Sequence, residues 1–150
     1  MKPFVLGFYG ESDTGKTSLI VDVISRLTKE GYNVASVKVT DKRISIDSAG
    51  KDTWKHASAG SDLVVFSTDV ETDFLLKQKM SSTEIVDCIN HFGEYDIIIV
   101  EGANDESIPK IRIGNIKERK NTVLYYDSDF EKLIEYIKKE VNRRNMKWIK

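Results

Sequence analysis

The eight residues Gly10-Glu11-Ser12-Asp13-Thr14-Gly15-Lys16-Thr17 constrain this chain more than any other stretch. They fit G-x-x-x-x-G-K-[ST] at every fixed position. They stand between a short apolar run at residues 4–9 and a segment, residues 16–30, whose Leu19, Ile20, Val23, Ile24 and Leu27 fall at helical spacing. A strand that turns through glycines into an amphipathic helix makes a loop whose N–H groups converge on an anion. The positive end of the helix dipole adds to that field. Gly10, Ser12, Asp13, Thr14, Gly15, Lys16, Thr17 and Ser18 are therefore the expected phosphate cradle. Lys16 is expected to reach the outer phosphates, as the catalytic side chain of any turnover, and the Thr17 hydroxyl to ligate Mg²⁺. Such a loop needs a second carboxylate at the end of a neighbouring strand, because ligands of open α/β sheets lie outside the strands' carboxyl ends. Glu101 closes the apolar run at residues 97–100 and fills that place. Asp96, at the other end of the run and on the order of 15 Å away, reads as a turn residue.

The remaining sequence reads as one domain over residues 1–150, within the usual domain size of about 100–150 residues. Strands are expected at residues 34–39, at Leu63–Ser67, at 74–78, at 97–100, at 111–113 and at Thr122–Tyr126. A short helix at residues 51–59 stops at Gly60. Ser81 or Ser82 caps the next helix, Ser81 and Glu84 forming a capping-box pattern ahead of Ile85, Val86, Ile89 and Phe92. A last helix starts from Ser128, with Glu131 three residues on. The run at 97–100 is apolar at every position, as in a parallel strand covered on both faces. The fold class expected is α/β: a mostly parallel P-loop NTPase sheet flanked by helices, with a β-hairpin inserted in residues 40–80, where the alternation breaks.

Composition narrows the partners. Lys and Arg number 23 against 24 Asp and Glu, so the basic excess of a nucleic-acid binder is missing. Cys88 stands alone and the histidines are only His56 and His91, which leaves no internal disulfide and no Cys/His zinc cluster. No apolar run approaches the ~20 residues of a membrane span, and the N-terminal one leads straight into the glycine loop, so it reads as structure and not as a signal. A cytoplasmic protein without nucleic-acid or membrane partners is expected. The basic tail at residues 142–150, with Trp148, reads as a frayed helix end.

A second cluster, Asp47-Ser48-Ala49-Gly50-Lys51-Asp52-Thr53-Trp54-Lys55-His56, joins a glycine turn, lysines, two carboxylates and a histidine. Lys51 and Asp52 are expected to face the nucleotide or, by the family resemblance that follows, an incoming anionic pterin phosphate, with Asp47 touching magnesium and Trp54 packing the helix down. This block, with Gly7-Phe8-Tyr9-Gly10, Val37-Lys38, Ala59-Gly60, Val100-Glu101-Gly102 and Pro109-Lys110-Ile111, resembles the MobB family of molybdopterin-guanine dinucleotide biosynthesis adaptors. The resemblance spans roughly residues 4–115. It implies a P-loop domain of the SIMIBI class that binds GTP with Mg²⁺ and hydrolyses it weakly at best. It further implies assistance to the guanylyltransferase that joins GMP to molybdopterin, and a homodimer built partly through an inserted hairpin. Two positions depart from the family. Val39 stands where it usually has His, and Asn104 stands where its E-G-[FY]-K has Lys. No N-K-x-D or T-K-x-D guanine reader occurs near residues 115–128. Two alternatives stay open: a small transferase or ligase of the dethiobiotin-synthetase type, which also carries a lysine like Lys38 and an E-G pair like Glu101-Gly102, and a nucleotide-gated interaction module.

Overall fold

An uninterrupted apolar strand must be covered on both sides, and the computed structural model, which describes residues 2–146, shows how. Strand β5 (Ile97–Glu101) lies between β1 (Phe4–Gly10) and β2 (Val34–Lys38), and β6 (Lys110–Ile113) and β7 (Thr122–Tyr126) extend the sheet beyond β1. The order is β2-β5-β1-β6-β7 and every pairing is parallel. Because side chains alternate along a strand, Ile97 and Ile99 join a core with Phe4, Leu6 and Phe8 of β1. Helix α1 (Lys16–Lys29) adds Leu19, Ile20, Val23 and Leu27 to that core, and helix α4 (Phe130–Met146) adds Leu133, Ile134, Ile137 and Val141. Ile98 and Val100 point the other way, into a smaller core with Ala103 and Ile108, against Val86 and Ile89 of α3 (Ser82–Phe92). Helices therefore cover both faces, as the apolar run requires.

Helix ends follow local chemistry. Gly31 leaves α1 at φ +89°, and the Tyr32 N–H returns to the Leu27 carbonyl at 3.1 Å, the bond that closes a Schellman-type end. Asp96 is indeed a turn residue: its Oδ2 accepts the Asn33 N–H at 2.8 Å and its N–H donates to the Asn33 carbonyl at 2.9 Å.

Several boundaries differ from the sequence expectation, most of them by one residue. The first helical residue of α4 is Phe130, and its cap is Asp129, whose Oδ1 accepts the Lys132 N–H at 3.1 Å; Ser128 is held at φ +73° and does not cap. Glu131 does not close a capping box but takes a two-pronged bond from the Arg26 guanidinium of α1. Strand β4 runs over Thr72–Leu76 and not 74–78, because Thr68 closes a tight turn, donating its N–H to the Glu71 carbonyl at 2.9 Å and accepting the Val70 and Glu71 N–H groups on its hydroxyl. Strand β2 stops one residue before Val39. Trp148 lies outside the described residues.

The chain forms two compact units. The first holds the described residues up to Thr40 and from Ser82 onward, with the five-stranded sheet and the helices α1, α3 and α4. The second, Asp41–Ser81, holds helix α2 (Asp52–Ser58), strand β3 (Leu63–Ser67) and β4, the two strands paired antiparallel as the expected hairpin. Helix α2 packs against β3.

Candidate functional site

Strand β1 ends at Gly10, where a Cβ would sit 2.7 Å from the Ile113 carbonyl oxygen of β6, so only glycine lets the chain leave the sheet there. The loop then passes through two left-handed residues, Asp13 at φ +63° and Gly15 at φ +75°. The Thr14 hydroxyl donates to the Glu11 carbonyl at 2.8 Å and closes the curve. Gly15 is the N-cap of α1; no side chain caps the helix, and its first turn carries no acidic residue. The first-turn N–H groups thus present unopposed partial positive charge, as phosphate requires. Ser12, Asp13, Thr17 and Ser18 are exposed at this rim. The Lys16 ammonium lies back over the loop and donates to the Gly10 carbonyl at 3.0 Å.

Glu101 arrives from the sheet. Strands β1 and β5 pair with Phe8 opposite Glu101, and the Glu101 side chain is largely covered. The Thr17 hydroxyl donates to Glu101 Oε1 at 2.9 Å. That separation suits Mg²⁺: ligands about 2.1 Å from an octahedral ion lie about 3 Å apart along an edge. Both are hard oxygen donors, and Mg²⁺ takes one or two protein oxygens beside phosphate and water. Sequence reasoning assigned no role here to Lys38, although it quoted the residue. Its ammonium stands 3.6 Å from the same Glu101 oxygen, because β2 pairs with β5 so that Lys38 faces Glu101. Gly102 follows at φ +81°, and a Cβ on it would lie 2.3 Å from the Val39 carbonyl oxygen. The turn after Glu101 therefore admits only glycine.

A layer of buried polar side chains lies beside β1. Lys110 is fully buried and donates to the Ile108 carbonyl at 2.7 Å and the Lys120 carbonyl at 2.9 Å; burial pulls its pKa below the ordinary lysine value. Arg119 stacks over the Tyr9 ring and donates to the Ala103 carbonyl at 2.7 Å, while its own N–H donates to the Tyr9 hydroxyl. Arg119 lies within the segment 115–128 and is turned inward by these bonds. The Pro109-Lys110-Ile111 string hints at this layer only as part of a family pattern.

The other expected residues belong to the second unit. Asp47 is nearly buried: its Oδ1 accepts the Thr53 hydroxyl at 2.9 Å and the Ser48 N–H at 3.0 Å. Lys51 is the exposed N-cap position of α2, and Asp52 pairs with Lys55 at 3.1 Å. Trp54 remains 42% exposed, and no residue of α2 is fully buried, so Trp54 fastens that helix only in part.

A parallel sheet with helices on both faces, whose central strand passes through a glycine loop into a helix beside a strand-end carboxylate, defines the P-loop NTPase class of fold. Within that class the chain belongs to the MobB family, "Molybdopterin guanine dinucleotide synthesis protein B", whose sequence model matches residues 5–139. It is 29% identical over 131 residues to a putative molybdopterin-guanine dinucleotide biosynthesis adapter protein of Methanocaldococcus jannaschii, covering 87% of this chain and 51% of that one. It is 30% identical over 109 residues to the adapter protein of Haemophilus influenzae, covering 71% and 61%. The chain thus spans between half and under two thirds of the length of these curated relatives. Its fold is similar to the crystal structure of Bacillus subtilis MobB, with a TM-score of 0.66 at 20% identity over 82% of this chain and 80% of that one. The MobB protein homolog from Bacillus stearothermophilus gives 0.65 at 16% identity, over 95% and 99%.

Proposed function

We propose that this protein binds GTP with Mg²⁺ at the P-loop and serves as an accessory protein in the synthesis of molybdopterin guanine dinucleotide. Gly10, Ser12, Asp13, Thr14, Gly15 and Ser18 cradle the phosphates, Lys16 reaches the outer ones, and Thr17 and Glu101 hold the metal. The observation that carries the reading is the 2.9 Å approach of the Thr17 hydroxyl to Glu101 beside an uncapped glycine loop. Bound Mg²⁺ supplies charge that neutralises phosphate oxygens. Lys38 keeps the Glu101 carboxylate aimed at the same place. Residues 1–150 act here as one nucleotide-binding domain with weak hydrolysis at most. The proposed partner is the guanylyltransferase that uses molybdopterin and the proposed location is cytoplasmic; the adapter names of the relatives support a partner in molybdopterin-guanine dinucleotide synthesis. Among the described residues no helix is long and apolar enough to cross a membrane. The proposed homodimer uses the hairpin face on which Leu63 faces Leu76 and Val65 faces Phe74, all four exposed. A mass of 17.1 kDa by light scattering across a hundredfold dilution would rule the dimer out.

Nucleotide titration of the full chain tests the reading. GTP should raise Tm more than ATP. Lys16→Ala should weaken triphosphate binding about 10- to 150-fold, the worth of one charge-assisted hydrogen bond, with the ligand-free Tm unchanged. Glu101→Gln should reduce binding in Mg²⁺ more than in EDTA. Unchanged affinity in Lys16→Ala removes the P-loop assignment. Rapid turnover with a small acceptor would favour the transferase alternative over an accessory role.

A further inference from the structure

The second unit holds a cavity of its own, about 580 Å³, within the range of pockets that enclose a small ligand. Its lining sets the carboxylates of Asp47, Asp52, Glu71 and Asp73 against one ammonium, that of Lys51. Asp52 is offset by Lys55 at 3.1 Å, whereas Glu71 and Asp73 form no ion pair among the described residues. The cavity keeps an excess of negative charge, and the ligand it favours is a cation. Asp47 sets this group apart from carboxylates that water satisfies. Its side chain is only 3% exposed, and its Oδ2 accepts no hydrogen bond. The Lys77 ammonium stands 3.9 Å from that oxygen, close enough to pair in charge and too far to donate. The Asp47 Oδ1 is already satisfied by Thr53 and Ser48. A buried carboxylate oxygen without a donor is costly, and a ligand N–H is the partner it lacks.

The other walls fix the kind of cation. Among the described residues no three acidic, histidine or cysteine side chains are arranged to hold a metal ion. The cation is then one that brings hydrogen-bond donors of its own. Phe66 lies opposite Asp73 across the hairpin, so an aromatic ring and a carboxylate share one face of the two strands. A guanidinium matches that pair, because its flat face stacks on a ring while its N–H edges donate to carboxylates in several directions. An ammonium is a compact, strongly hydrated charge without a flat face, and matches it less well. We infer that this cavity is a binding site for a guanidinium group on an aliphatic stem, the group of an arginine side chain or of a small free guanidine. Asp47 and Asp73 accept its N–H groups, Phe66 lies against its face, and Lys51 opposes it. The inference goes beyond nucleotide binding and is independent of it, since every residue named belongs to Asp41–Ser81.

Isothermal titration of the full chain at low salt tests it, with agmatine and with the tripeptide acetyl-Gly-Arg-Gly-amide. The same tripeptide carrying lysine or citrulline in place of arginine runs alongside; citrulline keeps the shape and loses the charge. At least one guanidinium probe should bind. A tighter tripeptide identifies the source as an arginine of a polypeptide, and tighter agmatine identifies it as a small molecule. The lysine tripeptide should bind more weakly than the arginine one, and the citrulline tripeptide about tenfold or more weakly. Asp47→Asn, which turns an acceptor into a donor, should weaken the guanidinium probes about tenfold or more. Asp73→Asn should act in the same direction and decides the matter if Asp47→Asn fails to fold, since Asp73 has no ion pair to lose. Lys51→Ala removes the one like charge and should tighten binding about twofold. The site is overturned if neither guanidinium probe binds, or if the lysine or citrulline tripeptide binds as tightly as the arginine one. It is also overturned if Asp73→Asn, or a folded Asp47→Asn, binds as the parent does. Weaker binding in Lys51→Ala would mark a site for an anion and overturn it as well.

Discussion

The five-stranded sheet and the hairpin are both built from β-branched and aromatic residues, yet they use them in opposite ways. Every residue from Ile97 to Val100 is buried, with alternate side chains feeding two cores. In the hairpin Val64 is the one fully buried apolar residue, while Leu63, Val65, Phe74 and Leu76 stay exposed. The parallel sheet is covered by α1 and α3, which lie in its crossovers, and by α4, which follows its last strand. A two-stranded hairpin has one helix to spend and two faces to cover. The first region is enclosed on both faces; the second leaves apolar and acidic surface exposed.

Core truncation should break that contrast most visibly if it is wrong. Ile99→Ala should cost about 2–5 kcal/mol in denaturant unfolding, as for other fully buried aliphatic side chains. Val65→Ala, half exposed, should stay within about 0.5 kcal/mol in the monomer. Equal losses would mean that the hairpin is as tightly packed as the sheet.

Glycine replacements sharpen the comparison at smaller cost. Gly102 and Gly50 both have left-handed backbones, at φ +81° and +90°. A Cβ at Gly102 meets the Val39 carbonyl oxygen, whereas at Gly50 it meets nothing within 4 Å. Gly50→Ala should therefore show the backbone strain alone, about 1–2 kcal/mol. Gly102→Ala adds a backbone clash and should lose about 3 kcal/mol or more, with metal-dependent GTP binding falling as Glu101 shifts. A Tm scan of the two variants checks the difference.

The smallest effect is electrostatic and confined to the first unit. Lys138 and Arg26 hydrogen-bond to Glu30 and hold its carboxyl below its ordinary pKa of 4.5. Its stabilisation is thus full above the unfolded value and disappears as pH falls through the folded one. The Tm gap between the parent and Glu30→Gln should be small at pH 7 and shrink as the pH falls below 4.5. A gap that does not shrink under acid would show that Glu30 acts through packing.

Much of this molecule was legible in its residues. The glycine loop, the helical spacing of α1 and the all-apolar β5 are short-range patterns, and each element formed where its period required. The hairpin was visible as a break in the strand–helix rhythm. Boundaries moved where a side chain chose a different backbone partner, as Asp129 did in place of Ser128 and Thr68 did at the β3–β4 turn.

From sequence alone came the elements and the loop, because periodicity and turn chemistry act between neighbours. Tertiary structure decided which distant residues meet. Lys38 joins Glu101 only because β2 pairs with β5 in a register that aligns their ends. Lys110 is buried because β6 lies beside β1, where Gly7 leaves room: a Cβ there would stand 3.2 Å from the lysine Cγ. Asp47 keeps an oxygen without a donor because Thr53 and Ser48 take the other one and Lys77 stops short of it. Strand order, register and enclosure are settled by contacts between segments far apart in the chain, and local pattern carries no record of them.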